Sequence, residues 1–80
     1  MKIQAISTEK AVKMIEAENT ILFSIDRKMD KTELRKKIEE LFDVKVEKIR
    51  SHIRKGEKIA FVKLKKENSA LDLATKLGLI

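Results

Sequence analysis

A short turn between two strand-like segments limits the possible folds of this chain more than any other feature. Residues 44–53 and 58–65 are both rich in β-branched and other apolar residues, and only Arg54-Lys55-Gly56-Glu57 separates them. Gly56 can adopt the positive φ that a tight turn requires, and so short a connection joins antiparallel neighbours. The sequence therefore predicts a β-hairpin.

The two predicted strands differ in how their apolar residues alternate. In the first strand the apolar residues change face around Glu47-Lys48, so we expect a β-bulge there or burial on both faces. The second strand has apolar residues on both sides, namely Ile59 and Phe61 on one and Ala60, Val62 and Leu64 on the other. We therefore expect the second strand to lie inside a sheet that is covered on both faces.

The segment before the hairpin predicts two helices and a strand. Ser7 or Thr8 can cap a first helix from Thr8 to Glu18, and residues 20–25 have the composition of a strand. Asp30 and Glu33 have the spacing of a capping box. The second helix that follows has an apolar stripe of Leu34, Ile38, Leu41 and Phe42.

The ends of the chain complete the predicted fold. Asn68 or Ser69 can cap a short last helix that ends at Gly78, and the residues before Thr8 can add an edge strand. The fold class is α+β, a mostly antiparallel four-stranded sheet with packed helices in the order β-α-β-α-β-β-α. We expect residues 1–80 to form a single domain.

The excess positive charge is confined to the hairpin region. The chain has 19 Lys and Arg, 13 Asp and Glu and a net charge of +6. Residues 1–44 are neutral, residues 45–66 carry nine basic and two acidic side chains, and the tail from Glu67 contributes −1. Seven uncompensated charges repel one another, so a polyanionic partner is indicated. The alternative is that the lysines only keep a sheet edge soluble.

Few side chains could support catalysis or metal binding. The chain has no cysteine and one histidine, His52, and Glu39-Glu40 lies among Lys36 and Lys37 at spacings typical of a solvated helix face. No apolar segment approaches the roughly 20 residues that cross a bilayer, and residues 1–5 do not resemble a signal peptide. We expect a cytoplasmic protein that is not an enzyme, with no metal or other cofactor, no small-molecule substrate and no membrane insertion.

Aromatic residues are scarce. The chain has three phenylalanines and neither tyrosine nor tryptophan, and all three phenylalanines fall on predicted core stripes. Reading of single-stranded RNA by stacking is therefore not expected, and binding through shape and phosphate contacts is favoured. His52 can be a partly exposed strand residue or a stacking or phosphate contact for RNA.

Several short strings, taken in order, resemble the large-subunit ribosomal protein family numbered twenty-three. The resemblance covers nearly the whole chain. The strings are Ser7-Thr8-Glu9-Lys10, Asn19-Thr20-Ile21-Leu22-Phe23, residues 31–35, residues 38–46 and residues 58–64. The short hairpin and residues 70–80 look archaeal in type, because bacterial relatives carry a long, basic, glycine-rich loop where this chain has only Arg54-Lys55-Gly56-Glu57.

This resemblance implies a location and a set of partners. Members of the family bind large-subunit ribosomal RNA near the polypeptide exit tunnel and contact a neighbouring small helical ribosomal protein, number twenty-nine. They also help to form the docking platform for the signal recognition particle and nascent-chain chaperones. Glu9 matches a family position used in factor docking, although a first-turn acid is also stabilised by the helix dipole.

Twelve residues are predicted to contact RNA. Seven of them follow from the resemblance: Thr8, Lys10, Asn19, Lys31, Arg35, Arg50 and Ser51. Five follow from the charge and position of the hairpin: Lys45, His52, Arg54, Lys55 and Lys58.

Other functions remain open on the sequence. A basic protein-interaction module could recognise an acidic partner, with RNA binding incidental. A DNA-binding regulator is less favoured because no helix carries a concentrated basic face. Binding to a membrane surface is also less favoured because the excess basic residues lie on strands.

Overall fold

Four antiparallel strands form the centre of the protein, and three helices pack against them. The computed structural model describes residues 2–79. The elements are β1 (Ile3–Ala5), α1 (Glu9–Glu18), β2 (Thr20–Ile25), α2 (Lys31–Phe42), β3 (Val46–Arg54), β4 (Glu57–Leu64) and α3 (Ala70–Lys76). This arrangement confirms the predicted α+β class and the predicted order of elements. Within the described residues, no helix is long and apolar enough to cross a membrane.

The strands are arranged β1-β2-β4-β3, and each neighbouring pair is antiparallel. β4 therefore lies inside the sheet, as its apolar residues on both faces predict. β3 pairs with β4 from Val46 opposite Leu64 to Arg54 opposite Glu57, with a shift in register between Val46 and Lys48. This shift confirms the expected bulge, and it allows Val46 and Ile49 to be buried together.

One face of the sheet, which we call the α2 face, carries the main core. Strand residues on this face, such as Phe23 and Val62, are buried against Leu34 and Ile38 of α2. Phe42 at the end of α2 stacks on Phe23, with ring centroids 6.0 Å apart. α3 adds Ala70, Leu73 and Ala74 to the same cluster. Burial of each large side chain contributes about 1.5 to 3 kcal/mol, so this face supplies most of the hydrophobic stabilisation.

Leu41 departs from the predicted apolar stripe of α2. Its exposed fraction is 61%, whereas Leu34 and Ile38 are almost fully buried. Phe42 takes the last position against the sheet through its contact with Phe23. Since Leu41 lies about 100° around the helix from Phe42, this packing leaves it at the margin of the stripe.

The other face, which we call the α1 face, is only partly covered. Ala11 and Met14 of α1 pack on Leu22 of β2, with the half-buried Ile59 and Phe61 beside them. α1 runs along β2, and the side chains that β3 directs to this face are exposed. The β3–β4 half of this face is therefore open to solvent.

Side-chain caps fix where each helix begins. The Thr8 and Ser69 hydroxyls accept hydrogen bonds from the backbone N–H groups of Ala11 and Asp72, both at 3.1 Å. Asp30 Oδ1 accepts from the Glu33 N–H at 2.8 Å. The predicted caps are confirmed. Of the two alternatives for each helix, Thr8 and not Ser7 caps α1, and Ser69 and not Asn68 caps α3.

The turn of the hairpin consists of two residues with positive φ. Lys55 has φ of +52° and Gly56 has φ of +79°. Two central residues in this conformation define a type I′ turn, whose twist matches that of the flanking strands. A Cβ placed on Gly56 would meet no atom within 4 Å, so the positive φ alone requires glycine there.

We expect Gly56→Ala to lower the free energy of unfolding by about 1 kcal/mol, because alanine is strained in the left-handed region even without a clash. Urea denaturation followed by circular dichroism measures this loss. Lys55→Asn is the control, since asparagine tolerates positive φ and should cause no loss. Equal stability of Gly56→Ala and the wild type would show that the free protein does not hold this turn.

Candidate nucleic-acid interface

The open half of the α1 face carries a row of basic side chains. After the bulge, every second residue of β3 points to this side, and all four are exposed: Lys48, Arg50, His52 and Arg54. β4 contributes Lys63, which lies opposite Lys48 in the register, and Phe61, which lies opposite Arg50. We call these six residues the basic face.

Phe61 lies at the centre of the basic face. The Arg50 guanidinium carbon is 5.5 Å from the centroid of its ring, and the centroid of the His52 ring is 5.2 Å away at a tilt of 38°. A cation above an aromatic face is attracted by the electrons of the ring. The ring of Phe61 therefore favours the observed position of the Arg50 side chain, and the His52 ring packs beside it. All three phenylalanines pack against hydrophobic clusters, as expected, but Phe61 is half-buried and also lines the open face.

Two carboxylates lie close to this charge, since Glu18 lines the same depression as Lys48 and Arg50, and Glu47 pairs with Lys63. Within residues 2–79 the ion pairs are Glu9 with Lys13 at 3.9 Å and Glu47 with Lys63 at 3.8 Å. Alternate residues of a strand lie about 6 to 7 Å apart, which is less than the Debye length of roughly 8 Å at physiological salt. The cations of β3 therefore repel one another, and a partner with closely spaced negative charges would relieve that repulsion.

The start of α1 meets the tip of the hairpin at one end of the basic face. Between them lies a groove of about 250 Å³, which we call the tip groove. Its floor is apolar and its rim is polar. The floor is formed by Ile6, Leu22, Ile59 and Phe61, and the rim by Thr8, Lys10, His52, Arg54, Lys55 and Glu57.

The basic face and the tip groove together contain half of the twelve residues predicted to contact RNA. These residues come from two distant parts of the chain, residues 8–10 and residues 50–55. They are Thr8, Lys10, Arg50, His52, Arg54 and Lys55. The hydroxyl of Thr8 already accepts the capping hydrogen bond from Ala11, while the basic side chains are exposed.

Four other predicted residues lie on or beside the α2 face. Ser51 and Lys58 are half-buried, and Lys58 Nζ donates a hydrogen bond to the Met29 carbonyl at 2.7 Å. Lys31 and Arg35 project from α2 and line a shallow depression beside β3. Arg35 also donates to the Glu47 carbonyl at 3.3 Å, so it supports the bulged part of β3.

Lys45 lies in a more acidic environment than the hairpin. It lines a depression together with Glu39, Asp43 and Glu67. These carboxylates reduce the positive potential around Lys45. An RNA contact by Lys45 remains a prediction, but the potential there is weaker than on the basic face.

Asn19 connects three distant parts of the chain. It ends α1 with φ of +53°, and its side-chain nitrogen donates to the carbonyls of Leu64 at 3.1 Å and Asn68 at 3.0 Å. Its side-chain oxygen accepts from the Ala70 N–H at 2.7 Å. We call these contacts the Asn19 clamp. Its predicted contact with RNA remains a prediction, but both amide hydrogens already have protein partners.

We expect Asn19→Gly to lower the free energy of unfolding by about 2 kcal/mol, because the partly buried backbone groups of Leu64, Asn68 and Ala70 lose their hydrogen-bond partner. Glycine retains the positive φ, so the loss reports on the side chain alone. Asp43→Gly is the matched control, since Asp43 ends α2 with φ of +52° and is exposed. Equal losses for the two variants in urea denaturation would contradict a structural role for the Asn19 side chain.

Glu9 lies in the first turn of α1 and is well exposed. Its side chain is 89% exposed and pairs with Lys13 one turn along the helix. The N-terminal end of a helix dipole also favours a carboxylate at this position. The predicted role of Glu9 in factor docking stays a prediction.

The list of predicted contacts omitted three residues of the basic face, namely Lys48, Phe61 and Lys63. Alternation from Arg54 back through His52 and Arg50 would have included Lys48, because the bulge lies before it. Periodicity could not have identified Phe61, because it does not show how far α1 extends across the sheet.

Comparison with models of known protein families adds one finding. The family described as ribosomal protein L23 matches residues 1–72. The match extends from the first described strand into α3, and it includes the whole basic face and the tip groove.

Proposed function

Because the chain belongs to the ribosomal protein L23 family, whose members are structural proteins of the large ribosomal subunit, we propose that it binds large-subunit ribosomal RNA through the basic face. The site would lie near the polypeptide exit tunnel. The observation that carries this proposal is the row of exposed cations on β3 beside few carboxylates. The proposed role is structural and involves no catalysed reaction.

The shape of the basic face suits a phosphate backbone. β3 is an edge strand, so RNA can approach both its face and its outer side. Lys48, Arg50 and Arg54 are spread along one strand, and Arg50 is held by Phe61. Contacts to phosphates position a protein on RNA without reading bases, which suits a component bound permanently to one site.

Lys31 and Arg35 could extend the RNA contact around the edge of the sheet. They lie beside Ile49 on the side of β3 away from the basic face. An RNA that wrapped around the β3 edge could reach both groups of cations. Binding would also stabilise the fold, because RNA that binds only the folded protein shifts the folding equilibrium by mass action.

The wider set of partners also belongs to this proposal. Glu9 would take part in docking of the signal recognition particle or nascent-chain chaperones, and its exposed position leaves it accessible. The small helical ribosomal protein number twenty-nine would be a neighbour on the subunit. Since the hairpin ends at a two-residue turn, it would reach only a short distance toward the tunnel.

We expect binding to an exit-tunnel-region fragment of large-subunit RNA to weaken by roughly two decades between 50 and 200 mM salt, if about five phosphates are contacted. Replacing Lys48, Arg50 and Arg54 by glutamine should reduce the magnitude of the logarithmic salt slope by about 2 to 3. Fluorescence anisotropy titrations at several salt concentrations measure both quantities.

A triple variant with the same net charge provides the control. Lys36, Lys37 and Lys76 are exposed on α2 and α3, away from the basic face, and their replacement by glutamine should change the slope much less. Equal effects of the two triple variants, or equal binding to duplex DNA, would mean that binding depends on the net charge of the protein and not on the basic face. Competition by an acidic peptide but not by RNA would favour a protein-interaction module instead.

A further inference from the structure

We infer that the tip groove receives a single unstacked nucleobase of the bound RNA, while the cations around it hold the adjacent phosphates. This inference rests on the proposed function and adds the kind of RNA element that is recognised. It differs from the expectation drawn from the sequence, which favours binding through shape and phosphate contacts over stacking on a base.

The size of the tip groove limits its occupant. Its volume of about 250 Å³ is smaller than the roughly 300 to 1,000 Å³ of sites that enclose drug-sized ligands. One flat ring system is therefore a more suitable occupant than a whole metabolite. The groove is also open along the hairpin, so the rest of a longer molecule can continue onto the basic face.

The chemistry of the groove changes from floor to rim. Leu22 and Ile59 make the floor apolar, whereas Lys10, Arg54 and Lys55 place positive charge around it. A nucleotide has the same division, with an uncharged ring at one end and a phosphodiester at the other. The base would cover the apolar floor and exclude water from it, while the basic side chains of the rim would neutralise the phosphates of the RNA backbone.

Phe61 forms part of the groove floor, and contacts with neighbouring side chains orient its ring before any ligand binds. Arg50 and His52 both contact its ring from the basic face. An aromatic side chain with a fixed orientation loses little entropy when a base packs against it. Stacking of this kind typically stabilises binding of an unpaired base, because every base has an aromatic face.

A base within a regular duplex could not use this floor. In duplex RNA the bases are stacked inside the helix, and the surface offers phosphates and 2′-hydroxyls. The groove therefore favours RNA in which a nucleotide has left the stack, as in a bulge or a loop.

The floor of the groove cannot distinguish one base from another. Its floor carries no hydrogen-bonding side chain. At the rim, the Thr8 hydroxyl accepts from Ala11 and the Glu57 carboxylate accepts from the Ser24 hydroxyl. We therefore expect binding to depend on the presence of an unpaired base and only weakly on its identity.

Three RNA hairpins with identical stems provide the test. One carries a single unpaired adenosine in the stem, one has an abasic site at that position, and one is fully paired. We expect the full-length protein to bind the hairpin with the unpaired base roughly tenfold more tightly than either of the others, as one stacked base predicts. The abasic hairpin keeps the same phosphates, so the difference reports on the base.

Phe61→Leu removes the ring but keeps an apolar side chain. It should reduce the preference for the unpaired base to less than about threefold. The preference is the ratio of two affinities of the same variant, so a loss of phosphate binding through Arg50, which contacts this ring, affects both hairpins and cancels. Phe42→Leu is the matched control, because Phe42 is also half-buried but lies on the α2 face. It should retain the full preference, and urea denaturation checks that both variants fold.

The outcomes separate this inference from the proposed function. If the wild type binds all three hairpins equally and with steep salt dependence, the inference is wrong and the basic face remains an RNA site. A preference for the unpaired base that persists in Phe61→Leu would also overturn it, since the base would then bind elsewhere. Absence of salt-dependent binding both to these hairpins and to the exit-tunnel-region RNA fragment would overturn the proposed function itself.

Discussion

The extra residue in β3 determines on which side of the sheet the charge of this protein lies. Val46 points into the core, so a regular strand would also direct Lys48, Arg50, His52 and Arg54 toward the α2 face. The bulge at Glu47 reverses the alternation and puts Ile49 into the core instead. A regular strand would place Lys48 at the buried position that Ile49 occupies, and a buried charge without a partner would oppose packing of the sheet, so core and basic face depend on the same local irregularity.

Local sequence signals were sufficient to predict most of the fold. Capping residues located the helix starts, Gly56 located the turn, and the conflict between Val46 and Ile49 indicated the bulge. These features depend on neighbouring residues alone. Periodicity could not show how much of each face the helices cover, because that depends on contacts between distant elements. The exposure of Leu41 and the position of Phe61 follow from such contacts.

The candidate site was predictable as a region more than as a set of residues. The distribution of charge along the sequence identified the hairpin as the basic region, and its cations do form the basic face. Polar residues elsewhere were ambiguous, because the same amide or ammonium group can bind RNA or a backbone carbonyl. The structure shows backbone partners for Asn19 and Lys58. The tip groove was not predicted because its two sides come from distant parts of the sequence, within residues 6–22 and 52–61.

The Asn19 clamp has a consequence for the order of folding. Its partners lie 45 to 51 positions further along the chain, so it can form only after residues 64–70 have been synthesised. The contacts within the hairpin and within α2 join residues that are much closer in sequence. Such local contacts form first, because closing a short segment of chain costs less entropy than closing a long one. We expect the newly made chain to hold its hairpin and α2 first and to fix α1 and α3 last.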